Sequence, residues 1–94
     1  MKDQAKLSEI WWNRCKNYYT NHREQTVFYI EESELEVLNQ LITFEVRIEE
    51  LTDLTKEFKD SAWKEWMIVR KKRLECEYQY LGIKHGLIDP QQKL

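Results

Sequence analysis

Between residues 33 and 81 apolar side chains recur at helical spacing, with no glycine or proline to interrupt them. Val37, Leu41, Phe44, Ile48, Leu51 and Phe58 advance in steps of three and four, which an α-helix gathers into one seam. Thr55 is the only polar member of that seam. The stripe continues through Ala62, Trp66, Val69, Cys76 and Tyr80 once a four-residue insertion is admitted near Glu65, a slip that separates two packed helices or unwinds a coiled coil. The run is therefore either a hairpin folded back on itself or one straight helix.

Local signals divide the run. Ser33 with Glu36 fits a capping box, in which the serine oxygen takes an orphan amide and the glutamate reaches back. A helix from about 34 to 59 follows, and at 1.5 Å per residue it is about 39 Å long, which is long for a compact domain of this size. Between Leu35 and Ile48 it is apolar on most of its circumference. Asp60 and Ser61 can cap the next apolar cluster and place a break there, whereas Asp60 with Lys64 would support a helix running through. The third helix, about 61 to 81, carries Trp63, Met67, Leu74, Tyr78 and Leu81 on one side and Trp66, Val69, Cys76 and Tyr80 on another. Gly82 is expected to end it, leaving an irregular tail over 82–94 with Leu87 and Ile88 packed on a helix.

Upstream, Leu7, Ile10, Trp11, Cys15, Tyr18 and His22 mark a helical stripe over about 3–22, with Asp3 as N-cap. Trp12 and Tyr19 form a second stripe, because adjacent helical residues point about 100° apart. Thr26 to Ile30 has the β-branched and aromatic composition of a strand, but a lone strand would need another copy of the chain to pair with. The segment 23–32 is therefore read as an extended connector. The resulting fold class is all-α: a single domain over 1–94, built as a three-helix bundle or an elongated antiparallel coiled-coil hairpin with an N-terminal helix, and expected to oligomerise.

With 94 residues, 41% hydrophobic and 13% aromatic, the chain is too apolar for disorder but short for a generous core. Fifteen basic and seventeen acidic residues give a net charge of −2, the wrong sign for nucleic-acid binding as a dominant role. The charge is unevenly spread, at +2 over residues 1–24, −7 over 25–60 and +3 over 61–94. Lys2, Asp3, Lys6 and Glu9 interrupt any signal-peptide core and no segment reaches the length of a membrane span, so a cytoplasmic protein is expected. Cys15 and Cys76 lack the short spacings of zinc or redox motifs and read as small apolar side chains.

Catalytic templates fail for want of parts. The two glycines, Gly82 and Gly86, cannot build a phosphate-cradling loop, and neither His22 nor His85 has a glutamate three residues before it. Cys15 and His22 could share a helix face, but no orienting group is identifiable for catalysis. No enzymatic activity, cofactor or metal is expected.

Glu45, Glu49, Asp53 and Glu57 repeat every four residues, and like charges so spaced oppose one another by about 0.2 to 0.5 kcal/mol per pair. Something basic should lie opposite, either Arg70, Lys71, Lys72 and Arg73 of the chain itself or a basic partner. The basic run with Trp63 and Trp66 resembles a single-strand-binding mixture, yet four consecutive residues sweep about 300° of a helix. The function expected is a small non-enzymatic protein–protein interaction module, adaptor or regulator, forming a homodimer or docking on a second protein. Leu41, Phe44, Ile48, Leu51, Phe58, Trp66 and Val69 are its candidate core or self-association seam. Trp12, Trp63, the acidic row and Arg70 to Arg73 are candidate partner contacts. Two alternatives are an inhibitor of a nucleic-acid-handling or other host enzyme acting through the acidic row, and a nucleic-acid binder acting through the basic run.

Overall fold

The computed structural model describes residues 6–57 and 62–89. Lys2, Asp3, Phe58, Asp60 and Ser61, to which sequence roles were assigned above, and the end of the tail, 90–94, lie outside the described residues. In chain order the elements are α1 (Leu7–Cys15), β1 (Asn17–Thr20), β2 (Thr26–Tyr29), α2 (Glu32–Glu57) and α3 (Ala62–Lys84). α2 and α3 form a long antiparallel pair, which settles the choice between hairpin and straight helix. The fold is mostly helical rather than all-α, because a small β-hairpin stands between α1 and α2.

That hairpin corrects two expectations together. The first helix stops at Cys15 instead of running to about residue 22, and Asn17, Tyr18, Tyr19 and Thr20 pair antiparallel with Tyr29, Phe28, Val27 and Thr26. The strand at Thr26 thus finds its partner within the chain. Asn21 closes the turn: its backbone N–H donates to the Gln25 carbonyl at 3.0 Å, and its side-chain oxygen accepts from the backbone N–H groups of Arg23 and Gln25. Glu24 takes the left-handed conformation at φ 60°, where a three-residue hairpin loop requires it. Tyr18 faces Phe28 across one side and Tyr19 meets Tyr29 on the other, with ring centroids 6.2 and 6.0 Å apart. These cross-strand aromatic pairs hold a ribbon that has little other support.

The long helices begin and end differently from the capping rules applied to sequence alone. α2 starts at Glu32, and the Glu31 carbonyl already accepts from the Leu35 amide at 2.8 Å, so Ser33 sits inside the first turn rather than at its cap. Gly82 does not end α3. The helix runs to Lys84 and stops at Gly86, whose φ of 72° suits glycine. The Leu87 amide donates to the Gly82 carbonyl at 2.7 Å and the Gly86 amide to that of Ile83 at 3.1 Å, the paired bonds of a Schellman motif.

The core lies where three segments meet. Leu41 of α2 is fully buried, with Leu7 of α1 and Ile88 beyond α3 nearly so, and Ile10, Trp11, Val37, Tyr78, Leu81, Ile83 and Leu87 pack around them. Gly82 is buried here because nothing larger fits: a Cβ would come within 2.6 Å of Ile88 and 2.8 Å of Leu7. Gly82→Ala gains about 1 kcal/mol of helix propensity but forces the buried ends of Leu7 and Ile88 to shift, overpacking at about 1 to 3 kcal/mol. A net loss of about 1 kcal/mol in urea denaturation is expected, and an alanine variant as stable as wild type would show that Leu7 and Ile88 can yield.

α1 and the segment after α3 thicken the helical pair at this end. The molecule measures 59 × 31 × 28 Å with a radius of gyration of 17.0 Å, against roughly 12 Å for a compact chain of this length. The remaining length is a two-helix arm.

Candidate interaction surface

The closed end is held by a polar lock. Lys6 at the N-cap of α1 supplies no side-chain bond, so the orphan amides of the first turn are satisfied by the other helices. The Leu7 amide donates to the Tyr78 hydroxyl at 2.9 Å, and the Ser8 amide donates to Glu45 Oε2 at 2.9 Å. Ser8 Oγ donates to Glu45 Oε1 at 2.5 Å, and the Tyr78 hydroxyl donates to Glu45 Oε2 in turn. A carboxylate beside the positive end of a helix is the favourable arrangement. At the other end of α1, Trp11 Nε1 donates to the Glu34 carbonyl at 2.8 Å and its ring meets His85 edge-on at 5.3 Å. Arg14 Nη1 donates to the Gly86 carbonyl at 3.1 Å, placing a cation at the negative end of α3.

Burial, and then its hydrogen bond to Glu45, raise the Tyr78 phenol above its ordinary value. The neutral phenol is thus favoured by folding. Its contribution is fully present below the unfolded phenol value, about 10, and is lost as pH rises beyond it. The denaturation midpoint of the wild type should therefore fall more steeply above about pH 10 than that of Tyr78→Phe. Parallel curves would sink this assignment.

Away from the lock, α3 wears two stripes. Met67 and Leu74 are buried against α2, with Tyr78 and Leu81 half-buried in line with them. The other stripe is open to solvent: Trp66 is 58% exposed, Val69 65% and Tyr80 65%, with Cys76 and Arg73 exposed between them. Trp63, a candidate partner contact grouped by spacing with Met67 and Leu74, is 69% exposed and stands edge-on to Trp66 at 6.4 Å. A shallow groove at the base of this face is lined by Leu51 and Leu54 of α2 and Trp66, Arg70 and Leu74 of α3.

The other sequence candidates separate. Leu41, Phe44, Ile48 and Leu51 lie on the buried or half-buried side of α2, whereas Trp66 and Val69, expected in the same seam, are exposed. The stripe continued through a four-residue insertion near Glu65 does not stay on the packed face of the helical pair. Glu45 is absorbed by the lock, while Glu49, Asp53 and Glu57 remain exposed. Arg70 and Lys71 are half-buried and Lys72 and Arg73 exposed, so the basic run does not present one surface. Trp12 lines an open groove of about 410 Å³ with Leu38 and Ile42.

His22 lies in the hairpin turn, apart from Cys15 at the end of α1. Burial, then a hydrogen bond and the charge of Glu34, push the Cys15 thiol up to about 11, which leaves it protonated near neutrality. Among the described residues no cluster of three or more His, Cys, Asp or Glu is placed to hold a metal, and no helix is long and apolar enough to cross a membrane. Sequence reasoning missed the Glu45–Ser8–Tyr78 lock; its one visible signal was an acid in the row four residues after fully buried Leu41. No protein-family model, curated protein or solved structure matches this chain, so its own geometry carries the functional reading.

Proposed function

We propose that the protein is a small non-enzymatic interaction module, an adaptor or regulator, that binds another protein surface through the outward face of α3. One observation carries this reading: Trp66, Val69 and Tyr80 expose 58%, 65% and 65% of their surface on a single helix face, with Arg73 between them. Tryptophan, tyrosine and arginine are the residue types that dominate binding energy at protein interfaces. A contiguous apolar face on a soluble monomer has a cost in solubility that an occupant would remove. The lock at the far end supports the same reading, since it fixes the arm without using this face.

Native mass spectrometry of the protein purified gently from its own host tests the proposal. A homo-oligomer or a stoichiometric protein partner, lost on Trp66→Asp while the helical circular dichroism is kept, is the expected result. A bare monomer would overturn it.

The exposed Glu49, Asp53 and Glu57 favour a second reading, inhibition of a basic protein surface by the acidic side of α2. Glu49→Lys with Asp53→Lys should then leave the fold intact and abolish partner binding, and retained binding would remove that reading.

A further inference from the structure

Trp66, Val69, Arg73, Cys76 and Tyr80 follow the alternating steps of three and four that define heptad positions a, d, a, d and a. Met67, Leu74 and Tyr78, which turn towards α2, fall at b and f of the same heptads, so the seam from Val69 to Tyr80 is separate from the packing already used, and only its first layer, Trp66 with Arg70, also borders the groove against Leu51 and Leu54. The positions that flank the seam are Glu65 and Lys72 at g and Arg70 and Glu77 at e. Their signs discriminate between partners and orientations.

When two helices pair in parallel, g of one chain lies beside e of the following heptad on the other. Two copies of α3 then set Glu65 beside Arg70 and Lys72 beside Glu77, and two-fold symmetry repeats both, so that every flanking pair is attractive. In an antiparallel pair e meets e and g meets g. The register seating Val69 on Tyr80 of the second copy keeps two Arg70–Glu77 pairs but leaves Lys72 beside Gln79. Shifting that register by one heptad opposes Arg70 to Arg70 or Glu77 to Glu77. Charge therefore favours the parallel arrangement. Its one repulsive contact is Arg73 against Arg73 at a central a position, where a single polar residue lowers stability but fixes register and stoichiometry. The long arginine stem can carry its charge to the rim.

Resting on the reading of this face as a binding surface, we infer that the protein forms a two-fold homodimer in which α3 pairs in parallel and in register with α3 of a second copy through Trp66, Val69, Arg73, Cys76 and Tyr80. The two Cys76 side chains then meet at one d layer. In the antiparallel register each Cys76 faces Arg73 instead.

The Cys15→Ser full-length chain, which keeps Cys76 alone, is the reagent. In sedimentation equilibrium under reducing conditions it should be a dimer. Oxidation with copper phenanthroline at micromolar protein, in which two thiols give two protons and two electrons to the oxidant, should convert most of it to a disulfide-linked dimer. Val69→Glu should weaken the dimer at least tenfold with helical circular dichroism retained, and Trp66→Glu should repeat the result. Glu65→Lys should weaken it and Glu65→Lys with Arg70→Glu should restore it. A dimer that fails to cross-link through Cys76 overturns the parallel pairing but leaves the interaction reading standing. A monomer that binds a different protein through Trp66 does the same. A monomer without partner overturns both.

Discussion

Leu41→Ala is expected to lower the unfolding free energy by about 3 to 5 kcal/mol, the cost of truncating a fully enclosed leucine. Leu41 has no exposed surface and is the one large side chain so enclosed among the described residues. Its neighbours in the core come from different segments, Leu7 from α1 and Ile88 from the turn after α3, so the cavity cannot close by shifting a single helix. For a chain of this length total stability is roughly 5 to 14 kcal/mol. The urea midpoint should therefore fall by at least about a fifth, and at the lower end of that range the variant is barely folded at room temperature. Leu54, 39% exposed on the arm, is the control. Leu54→Ala should cost less than about 1 kcal/mol, and equal losses at the two sites would mean that the core is not confined to the closed end.

The contrast between those leucines reflects what was legible in the sequence. Seam spacing grouped Leu41, Phe44, Ile48 and Leu51, which are buried or half-buried on α2, and divided α3 into a stripe of Trp63, Met67, Leu74, Tyr78 and Leu81, of which Trp63 is exposed, and another of Trp66, Val69, Cys76 and Tyr80. Periodicity alone could not say which α3 stripe faces α2, because both are apolar. The hairpin was hidden for a related reason. Tyr18 continues the three-and-four spacing of Leu7, Ile10, Trp11 and Cys15, so the strand carries a helical spacing. No glycine announced the turn, since Asn21 bonds it from the side and Glu24 tolerates the left-handed conformation in its place. With β1 spaced like a helix, β2 shows no partner in the sequence.

Glycines misled in the opposite sense. Gly82 sits where a helix stop was expected, but its lack of a Cβ serves the close approach of Leu7 and Ile88, and the stop falls to Gly86 four residues later. Both roles follow from the same missing atom, and only the position of the tail over α1 distinguishes them.

Glu45→Ala is the second large effect expected, about 3 kcal/mol, because one carboxylate accepts from three donors and truncation strands buried ones at about 1 to 3 kcal/mol each. Ser8 is 7% exposed, so neither its amide nor its hydroxyl can turn to bulk water without undocking α1. Glu45→Gln keeps an acceptor but brings an amide donor against other donors, and about half the loss is expected. Glu49→Ala, one turn along the same acidic row and exposed, should stay within about 0.5 kcal/mol of wild type. Hydrogen exchange supplies the local readout: in Glu45→Ala the Leu7 and Ser8 amides should lose protection ahead of the α2–α3 pair. The same undocking uncovers Leu41, so Glu45→Ala and Leu41→Ala remove one docked state by two routes. Their double mutant should therefore lose less than the sum of the single losses, by about 1 kcal/mol or more. Strict additivity would separate the lock from the core and leave α1 held at two independent points.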